Sequence, residues 1–264
     1  MSNINIHNLK VMACHGALPE EKINRQPFCF DVSMQYDFEK AAKDDDLDLT
    51  LNYDEIMHSI SDFCKENTFD LIETLCRRTA IMLMRKYPIE SVSVKVNKPQ
   101  APVSLPFDSV SVATTLTRTT VLLSLGSNMG DRQAYLDTAI KRLKENQDIC
   151  VKSVSAPFEN PPYGGVAQLP FVNMAVKIST YLSPYELLEY LHLIESQANR
   201  DRSVHWGDRT LDIDIIFYGD CILDDDTLTI PHPDYLNRDF VLKPLKEIAP
   251  NFVCPLSKKR IRDM

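Results

Sequence analysis

The sequence predicts an α+β protein with two differently built domains. Of its 264 residues, 44% are hydrophobic and 25% are charged, which is the balance of a globular chain long enough for two cores. Along both halves, segments in which apolar residues recur every second residue alternate with segments in which they recur about every 3.6 residues. This pattern indicates strands and helices in each half. Only Gly16 lies before residue 120, whereas the other six glycines follow it.

The boundary between the predicted domains lies near Arg118. Residues 109–116 alternate as a strand, and residues 121–125 begin a new apolar strand. The RTT between them is not a flexible linker, which favours restricted domain motion. We therefore expect domains over residues 1–118 and 119–264.

Apolar spacing predicts the elements of each half. In the first half, Ile56, Ile60 and Phe63 recur on one stripe, as in an amphipathic helix. In the second half, Ser183 supplies a capping hydroxyl before Pro184 in a first helical turn. We predict helices over residues 53–66, 70–87, 131–145 and 184–199, and strands over residues 4–12, 28–37, 91–97, 109–116, 120–125, 150–156, 172–180 and 211–218.

Two carboxylates interrupt the last predicted strand, in RTLDIDIIFYGD. Alternation places the four apolar side chains from Leu211 to Phe217 on one face and Asp212 and Asp214 on the other. Like charges about 6 to 7 Å apart repel, and Mg²⁺ bound with nucleotide phosphates would remove that conflict. For an isolated pair, a solvated polar face is the more common explanation.

Arginines precede this pair closely. Arg200, Arg202 and Arg209 lie within ten residues, and their guanidinium groups match phosphate oxygens. Arginine at a helix end is also commonly a solvated, dipole-complementing residue. GSNMGDR at 126–132 lacks the lysine of a Walker A motif, so a P-loop is excluded there.

Composition excludes several classes of function. The net charge of −8 and the pI near 5.3 argue against sequence-independent binding to nucleic acid or to an anionic membrane. Seven cysteines without metal-ligand spacing suggest a reduced, cytoplasmic protein. With no signal-like start and no 18-residue apolar run, we expect neither secretion nor membrane insertion.

Five ordered motifs in the second half carry a family resemblance: LSLGSNMGDR, FENPPYGG, FVNMAV, WGDRTLDIDI and IPHPDYLNRDFVLKPL. Together they resemble the 6-hydroxymethyl-7,8-dihydropterin pyrophosphokinase family. The resemblance implies a ferredoxin-like αβ sandwich that transfers a diphosphoryl group from ATP to a pterin hydroxymethyl group.

The resemblance also implies site residues. Asp212 and Asp214 would hold two Mg²⁺ ions that bridge ATP. The implied pterin contacts are Asn173, Phe171, Phe240, Pro162 and Tyr163. The implied ATP contacts are Glu195, Arg202, Trp206, His232 and Arg238, with Arg200 and Arg209 as catalytic cations. Without the motifs, Phe171 and Phe240 would be ordinary core aromatics.

Four motifs in the first half, HGALPEE, LNYDEI, FDLIETLCRRTA and VSVKVNKPQAP, carry a second resemblance. They resemble the dihydroneopterin aldolase family. That likeness implies a tunnelling-fold antiparallel sheet with two helices, and a homo-oligomer, tetrameric or octameric, formed through this domain. Fold alone does not settle the reaction, because related pterin enzymes share it.

By this second resemblance, Glu73 and Ile72 bind the pterin, and Lys98, Tyr53 and Glu21 are catalytic, with Tyr53 supplied by a neighbouring subunit. Neither a metal nor a Schiff base is implied, because the pterin ring serves as the electron sink. Taken singly, Glu73 is more often a dipole-compensating residue, Lys98 a solvated lysine and Tyr53 a half-buried tyrosine.

Both halves thus point to one pterin ring and to two consecutive steps of folate biosynthesis, aldol cleavage and then pyrophosphorylation. One alternative is a pyrophosphokinase that carries an inactive oligomerisation module. Another is an RNA-binding module of the same sandwich fold, which the acidic charge and the lack of an RNP1-like aromatic run disfavour. We expect pterins and ATP as partners, with no nucleic acid and no membrane.

Overall fold

A computed structural model describes residues 2–161, 169–198 and 208–264. The chain divides into two compact units, Met1–Arg118 and Thr119–Met264. Each unit combines helices with its own antiparallel sheet, so the predicted α+β class is confirmed. Within the described residues, none of the helices has the length and apolar character needed to cross a membrane.

The first unit is built on a four-stranded antiparallel sheet. Its strands, hydrogen-bonded in chain order, are β1 (Asn3–Ala13), β2 (Gln26–Gln35), β3 (Ser91–Lys98) and β4 (Val110–Thr117). Three helices lie between β2 and β3 in the chain: α1 (Glu39–Asp44), α2 (Tyr53–Glu66) and α3 (Ile72–Lys86). Helix α2 packs on β1, and α3 packs on β3 and β4. The short helix α1 is absent from the sequence-based prediction.

Two of these helices begin at candidate site residues. Asn52 caps α2, because its side-chain oxygen accepts hydrogen bonds from the backbone N–H groups of Asp54 and Glu55. Tyr53 is therefore the first residue of α2. Helix α3 begins at Ile72, and Glu73 lies in its first turn, where the helix dipole favours a carboxylate.

The second unit has the strand order of a ferredoxin-like sandwich. Its main strands are β5 (Thr119–Ser127), β6 (Ile149–Val154), β7 (Phe158–Asn160), β8 (Phe171–Thr180) and β9 (Asp212–Tyr218). The antiparallel sheet runs β6-β8-β5-β9, and β7 also pairs with β8. Helices α4 (Arg132–Glu145) and α5 (Pro184–Gln197) connect its strands. A hairpin of β10 (Leu223–Asp224) and β11 (Thr229–Ile230) follows, and then α6 (Asp239–Ile248).

Separate cores lie on the two faces of this sheet. On one face, Leu123 and Leu125 of β5 belong to a core shared with α4 and α5. On the other face, Leu122 belongs to a second core beside Val241 and Leu245 of α6. The sequence-based prediction missed α6, whose interior contains Pro244, a residue that normally ends or kinks a helix.

Strand β9 contains a bulge that the sequence-based prediction did not include. Leu122 pairs with Phe217 and Leu123 pairs with Ile215, so Ile216 is an extra residue. Phe217 was expected to share a face with Ile213 and Ile215, and this is wrong. The extra residue changes the alternation, so Phe217 lies in the core beneath α6.

Candidate functional site

A buried ion pair lies at the end of β3 in the first unit. Lys98 Nζ is 2.5 Å from Glu21 Oε1, and the two side chains are only 7% and 10% exposed. Lys98 is the last residue of β3, and Glu21 lies in a short 3₁₀ helix between β1 and β2. The fold therefore joins residues that lie far apart in the sequence. A buried pair needs further hydrogen bonds to offset the loss of hydration.

Those hydrogen bonds converge on Glu21. Gln26 Nε2 donates to Glu21 Oε1 at 3.1 Å, and the backbone N–H of Leu18 donates to Oε2 at 3.2 Å. Burial would raise the pKa of the Glu21 carboxyl, but the hydrogen bonds from Lys98, Gln26 and Leu18 lower the pKa below its usual value. Glu21 is therefore a buried carboxylate that is ionised at neutral pH.

His15 and Gly16 also contact the Lys98–Glu21 cluster. The His15 carbonyl oxygen accepts a hydrogen bond from Lys98 Nζ at 3.4 Å. Its ring accepts one from Phe69 N–H at Nδ1, so Nε2 carries the proton and lies 3.2 Å from Cys64 Sγ. A Cβ on Gly16 would lie 2.2 Å from a Glu21 carboxylate oxygen, so only glycine fits beside it.

Tyr53, Ile72 and Glu73 lie on the surface of the same unit. Tyr53 is 62% exposed, Glu73 is exposed and Ile72 is half-buried. Within the described chain, the hydrogen bonds of Lys98 and Glu21 do not involve any of the three. One chain thus brings together Lys98 and Glu21 but not the whole predicted aldolase set.

In the second unit, small and polar side chains line up across three strands. Asn173 on β8 pairs with Gly126 on β5, which pairs with Asp212 on β9. In the next row on that face, Ser124 pairs with Asp214. The carboxylates share one face, as predicted. Because adjacent strands lie about 4.8 Å apart, Asn173 and Asp212 are roughly 10 Å apart across Gly126.

The glycine in this row lets the Asn173 side chain approach the backbone of β5 closely. A Cβ on Gly126 would lie 2.8 Å from Asn173 Oδ1 and 3.8 Å from the Phe171 ring. Asn173 is buried, and its amide donates a hydrogen bond to Asn160 on β7. Phe171 is half-buried at the start of β8, and Phe240 is half-buried against the core beneath α6. Phe171, Gly126 and Asn173 thus lie side by side on this face, and the Asn173 amide fills the space above Gly126.

Two arginines approach the carboxylates. Arg209 Nη1 is 2.5 Å from Asp212 Oδ2, and Arg238 Nη1 is 4.0 Å from Asp214 Oδ2. Arg238 also donates to Asp234 at 3.2 Å. Burial, followed by the charge of Asp212, raises the pKa of Asp214 to about 7. Among the described residues, Asp212 and Asp214 repel each other, and a bound cation would relieve this electrostatic conflict.

Glu195 and His232 support this site. Glu195 is almost fully buried, and its Oε1 accepts a hydrogen bond at 2.9 Å from Ile213 N–H, between the two aspartates on the edge strand β9. The Nδ1 of His232 accepts a hydrogen bond from Asp234 N–H, which leaves the proton on Nε2. Burial and the nearby Arg238 charge lower the pKa of His232, so the ring is neutral at neutral pH.

Family models match both units. Residues 122–250 match the model for 7,8-dihydro-6-hydroxymethylpterin-pyrophosphokinase (HPPK), and residues 4–115 match the model for dihydroneopterin aldolase. A pyrophosphokinase of Bacillus subtilis is 44% identical over 127 residues, which cover 48% of this chain and 76% of that protein. One from Haemophilus influenzae is 40% identical over 139 residues, which cover 53% of this chain and 87% of that protein. The chain belongs to the HPPK family.

The HPPK match occupies the second unit, and longer relatives contain both regions. The "Folic acid synthesis protein FOL1" of Dictyostelium discoideum is 31% identical over 282 residues, which cover 97% of this chain and 43% of that protein. The chain spans less than half the length of the first relatives that it matches. The solved structure of E. coli dihydroneopterin aldolase in complex with neopterin is 28% identical and covers 44% of this chain and 98% of that chain, with a TM-score of 0.41.

The donor set at Asp212 and Asp214 fits Mg²⁺. In the parts of the chain that the structure describes, no group of three or more His, Cys, Asp or Glu residues is arranged to hold a metal ion. Mg²⁺ is typically bound by one or two carboxylates together with substrate phosphates, so a pair of aspartates is sufficient. Hard carboxylate oxygens and the raised pKa of Asp214 both suit that ion.

Sequence reasoning missed three side chains that hold these sites in place: Gln26, His15 and Asn128. Asn128 is buried, accepts a hydrogen bond from Arg209 N–H at 2.7 Å and donates one to Asp208 at 2.6 Å. Its position in the turn GSNMGD was the available signal. The predicted residues Pro162, Tyr163, Arg200, Arg202 and Trp206 lie outside the described residues.

Proposed function

We propose that the second unit transfers the β,γ-diphosphoryl group of ATP to the hydroxymethyl oxygen of 6-hydroxymethyl-7,8-dihydropterin and releases AMP. The observation that carries this proposal is the row of Asn173, Gly126 and Asp212 on one sheet face. It places an amide that can read the polar edge of a flat heterocycle on the same sheet face as a carboxylate pair suited to phosphate-bound Mg²⁺. Membership of the HPPK family supports the same reaction.

The pterin side of this site selects a planar, polar ring. Phe171 and Phe240 would stack on its two faces, and the Asn173 amide would hydrogen-bond its polar edge. Gly126 allows the Asn173 amide to take this position, because any side chain at residue 126 would displace it. We assign Pro162 and Tyr163 to the same contact region by family resemblance.

The phosphate side supplies positive charge and fixed donors. Asp212 and Asp214 would hold two Mg²⁺ ions, which neutralise charge on the phosphate oxygens when bound. Arg209 and Arg238 would then turn from the carboxylates to the phosphates, since guanidinium groups bind either oxygen type. His232 would donate from Nε2, and Glu195 holds β9 in place from behind. By resemblance, Arg200, Arg202 and Trp206 complete the ATP contacts.

We further propose that the first unit cleaves 7,8-dihydroneopterin into glycolaldehyde and the hydroxymethyl pterin that the second unit uses. The supporting observation is the buried Lys98–Glu21 pair, which holds a lysine as a candidate acid and base group in a fixed position. A base takes the proton of the side-chain hydroxyl, the adjacent carbon–carbon bond breaks, and its electron pair enters the ring. The new carbon then receives a proton. Positioned acid and base groups are sufficient for this chemistry, without a metal or a Schiff base.

A homo-oligomer would complete the aldolase site. Glu73 and Ile72 would bind the pterin, and the exposed Tyr53 would reach the Lys98–Glu21 cluster of a neighbouring copy. By family resemblance we propose a tetramer or an octamer. All seven cysteines are free, which suits a cytoplasmic protein.

A product assay on the purified chain tests both proposals. The chain is given 7,8-dihydroneopterin, ATP and Mg²⁺, and products are followed by mass spectrometry. Joint appearance of glycolaldehyde, AMP and the pterin pyrophosphate is the expected result. If only added hydroxymethyl pterin is pyrophosphorylated, the first unit is not an aldolase. If it is not pyrophosphorylated either, the kinase proposal fails.

A further inference from the structure

We propose that Gln26 is a positioning residue of the aldolase site, which keeps Glu21 ionised and in place while Lys98 changes its protonation state. This inference rests on the proposed aldolase function. Gln26 is the first residue of β2, and it is buried beside the Lys98–Glu21 pair.

The hydrogen bonds of Gln26 duplicate those of Lys98. Lys98 Nζ donates to Glu21 Oε1 at 2.5 Å and to the His15 carbonyl at 3.4 Å. Gln26 Nε2 donates to the same two oxygens, at 3.1 Å and 3.4 Å. Two donors thus share two acceptors, and one of these donors, Gln26, is a neutral amide.

The orientation of the Gln26 amide follows from its neighbours. Glu21 Oε1 and the His15 carbonyl can only accept hydrogen bonds, so the NH₂ group must face them. Gln26 Oε1 therefore points the other way, where it is buried and has no protein hydrogen-bond partner in the described chain. A buried acceptor without a donor destabilises a fold, so stability alone does not explain this glutamine.

Catalysis explains the arrangement. In the proposed reaction, the Lys98 amine takes the proton of the substrate hydroxyl, the adjacent carbon–carbon bond breaks, its electron pair enters the ring, and the proton later moves to the released carbon. Whenever Lys98 is an amine, Glu21 is a buried carboxylate without its cation. Such a charge is unfavourable unless another donor remains. Gln26 supplies that donor, and its amide does not titrate.

In the described part of the chain, the titratable residues that contact the Glu21 cluster are Lys98 on β3 and His15 after β1. The His15 ring points away, toward Cys64 and Phe69, and burial lowers its pKa, so it stays neutral. Loss of the Gln26 hydrogen bond would therefore act on Glu21 directly, and the pKa of Glu21 would rise. As the pH is lowered, activity that needs ionised Glu21 would then be lost at a higher pH than in the parent protein.

The test is the pH profile of aldol cleavage for Gln26→Met, which keeps the length of the side chain but removes both polar atoms. We expect the acid limb of kcat/KM to move up by about one pH unit and kcat to fall about tenfold to a hundredfold, as for one lost hydrogen bond to a charged group. KM for dihydroneopterin should stay within about threefold. Gln35→Met at the other end of β2 is the matched control and should change neither quantity.

A second variant covers a folding failure of the first. Gln26→Glu has the same shape, and its like charge should move the acid limb further up than methionine does. An acid limb unchanged in both variants overturns the proposal. If the parent chain releases no glycolaldehyde, the aldolase function fails separately. In that case the test is the pKa of Glu21, measured by ¹³C carboxyl titration with the resonance assigned through Glu21→Gln. Gln26→Met must raise this pKa. An unchanged pKa would overturn the inference.

Discussion

The charged groups of the two units are arranged in opposite ways. In the first unit, Lys98 and Glu21 are buried, paired and surrounded by donors, so their charges are balanced within the chain. In the second unit, Asp212 and Asp214 share one sheet face with incomplete compensation, and the pKa of Asp214 is raised. Within the described residues, the charges of the first site are balanced, whereas those of the second site are not.

This difference corresponds to the two kinds of chemistry proposed. A retro-aldol step moves a proton between fixed groups, so its acid and base must be held at hydrogen-bond distance before substrate binds. Diphosphoryl transfer depends mainly on positioning and on neutralising phosphate charge, so its carboxylates must remain able to take cations with the nucleotide. The comparison can be tested by changing the charge at each site separately.

The largest effect is expected from replacing both aspartates. Asp212→Asn together with Asp214→Asn should reduce pyrophosphokinase kcat by about 10³-fold or more, because the metal ligands are lost. Aldol cleavage by the same protein should be unchanged. AMP release and glycolaldehyde release, measured on one preparation, separate the two results. Asp137→Asn on α4 is the control, and an equal loss in that variant would contradict the assignment.

Lys98→Met should have the reverse selectivity. Aldol cleavage should fall by about 10² to 10⁴-fold while pyrophosphorylation persists. The unfolding free energy of the first unit should fall by about 3 to 5 kcal/mol, because Glu21 becomes a buried charge without its cation. Urea denaturation measures this loss.

A double variant separates stability from catalysis. Adding Glu21→Gln to Lys98→Met should restore much of the stability, because no buried charge remains, but it should not restore cleavage. If the double variant were as unstable as the single one, the pair would not be the cause of the loss.

A smaller effect is expected at Gly126. Gly126→Ala places a methyl group 2.8 Å from Asn173 Oδ1, so the amide must move. We expect KM for the hydroxymethyl pterin to rise about tenfold, the equivalent of one disturbed hydrogen bond, with a lesser change in kcat. Steady-state kinetics measure both, and Thr120→Ala at the other end of β5 serves as the control. An unchanged KM would show that Asn173 does not contact the pterin.

The smallest effect is a gain in stability. The pKa of Asp214 is raised to about 7, so losing its proton costs more free energy in the folded state than in the unfolded state. This penalty grows as the pH rises from the unfolded pKa of about 3.9 through 7. Asp214→Asn should therefore raise the Tm near pH 8 by roughly 3 °C, and the gain should shrink toward pH 5. Calorimetry at both pH values checks this, with the exposed Asp226→Asn as the control, and a gain independent of pH would count against the electrostatic cause.

Much of the fold could be predicted, because the periodicity of apolar residues and the residues that cap helices are local signals in the sequence. The long strands of both sheets and the long helices follow from alternation and from capping residues such as Asn52 and Ser183, whereas the three-residue strand β7 was not predicted. Helix α6 could not be predicted in the same way, since Pro244 contradicts its local pattern and packing on the sheet overrides it. The extra residue Ile216 leaves no mark in the sequence, because every neighbour is apolar.

The candidate sites divide in the same manner. The shared face of Asp212 and Asp214 follows from their spacing alone. The closeness of Glu21 and Lys98 came only through family resemblance, because the contact spans 77 positions. The role of Gln26 had no local signal at all, since it depends on two oxygens that tertiary folding brings together.

The bulge at Ile216 also affects how this strand can change over evolution. The extra residue interrupts the alternation of side chains. The sheet face on which the aspartates lie therefore does not determine the face on which Phe217 lies. Substitutions in the apolar half of β9, after the bulge, can therefore vary while Asp212 and Asp214, before the bulge, keep their orientation. A one-residue deletion there would reverse the orientation of one half, so we expect this strand to tolerate replacement far better than shortening.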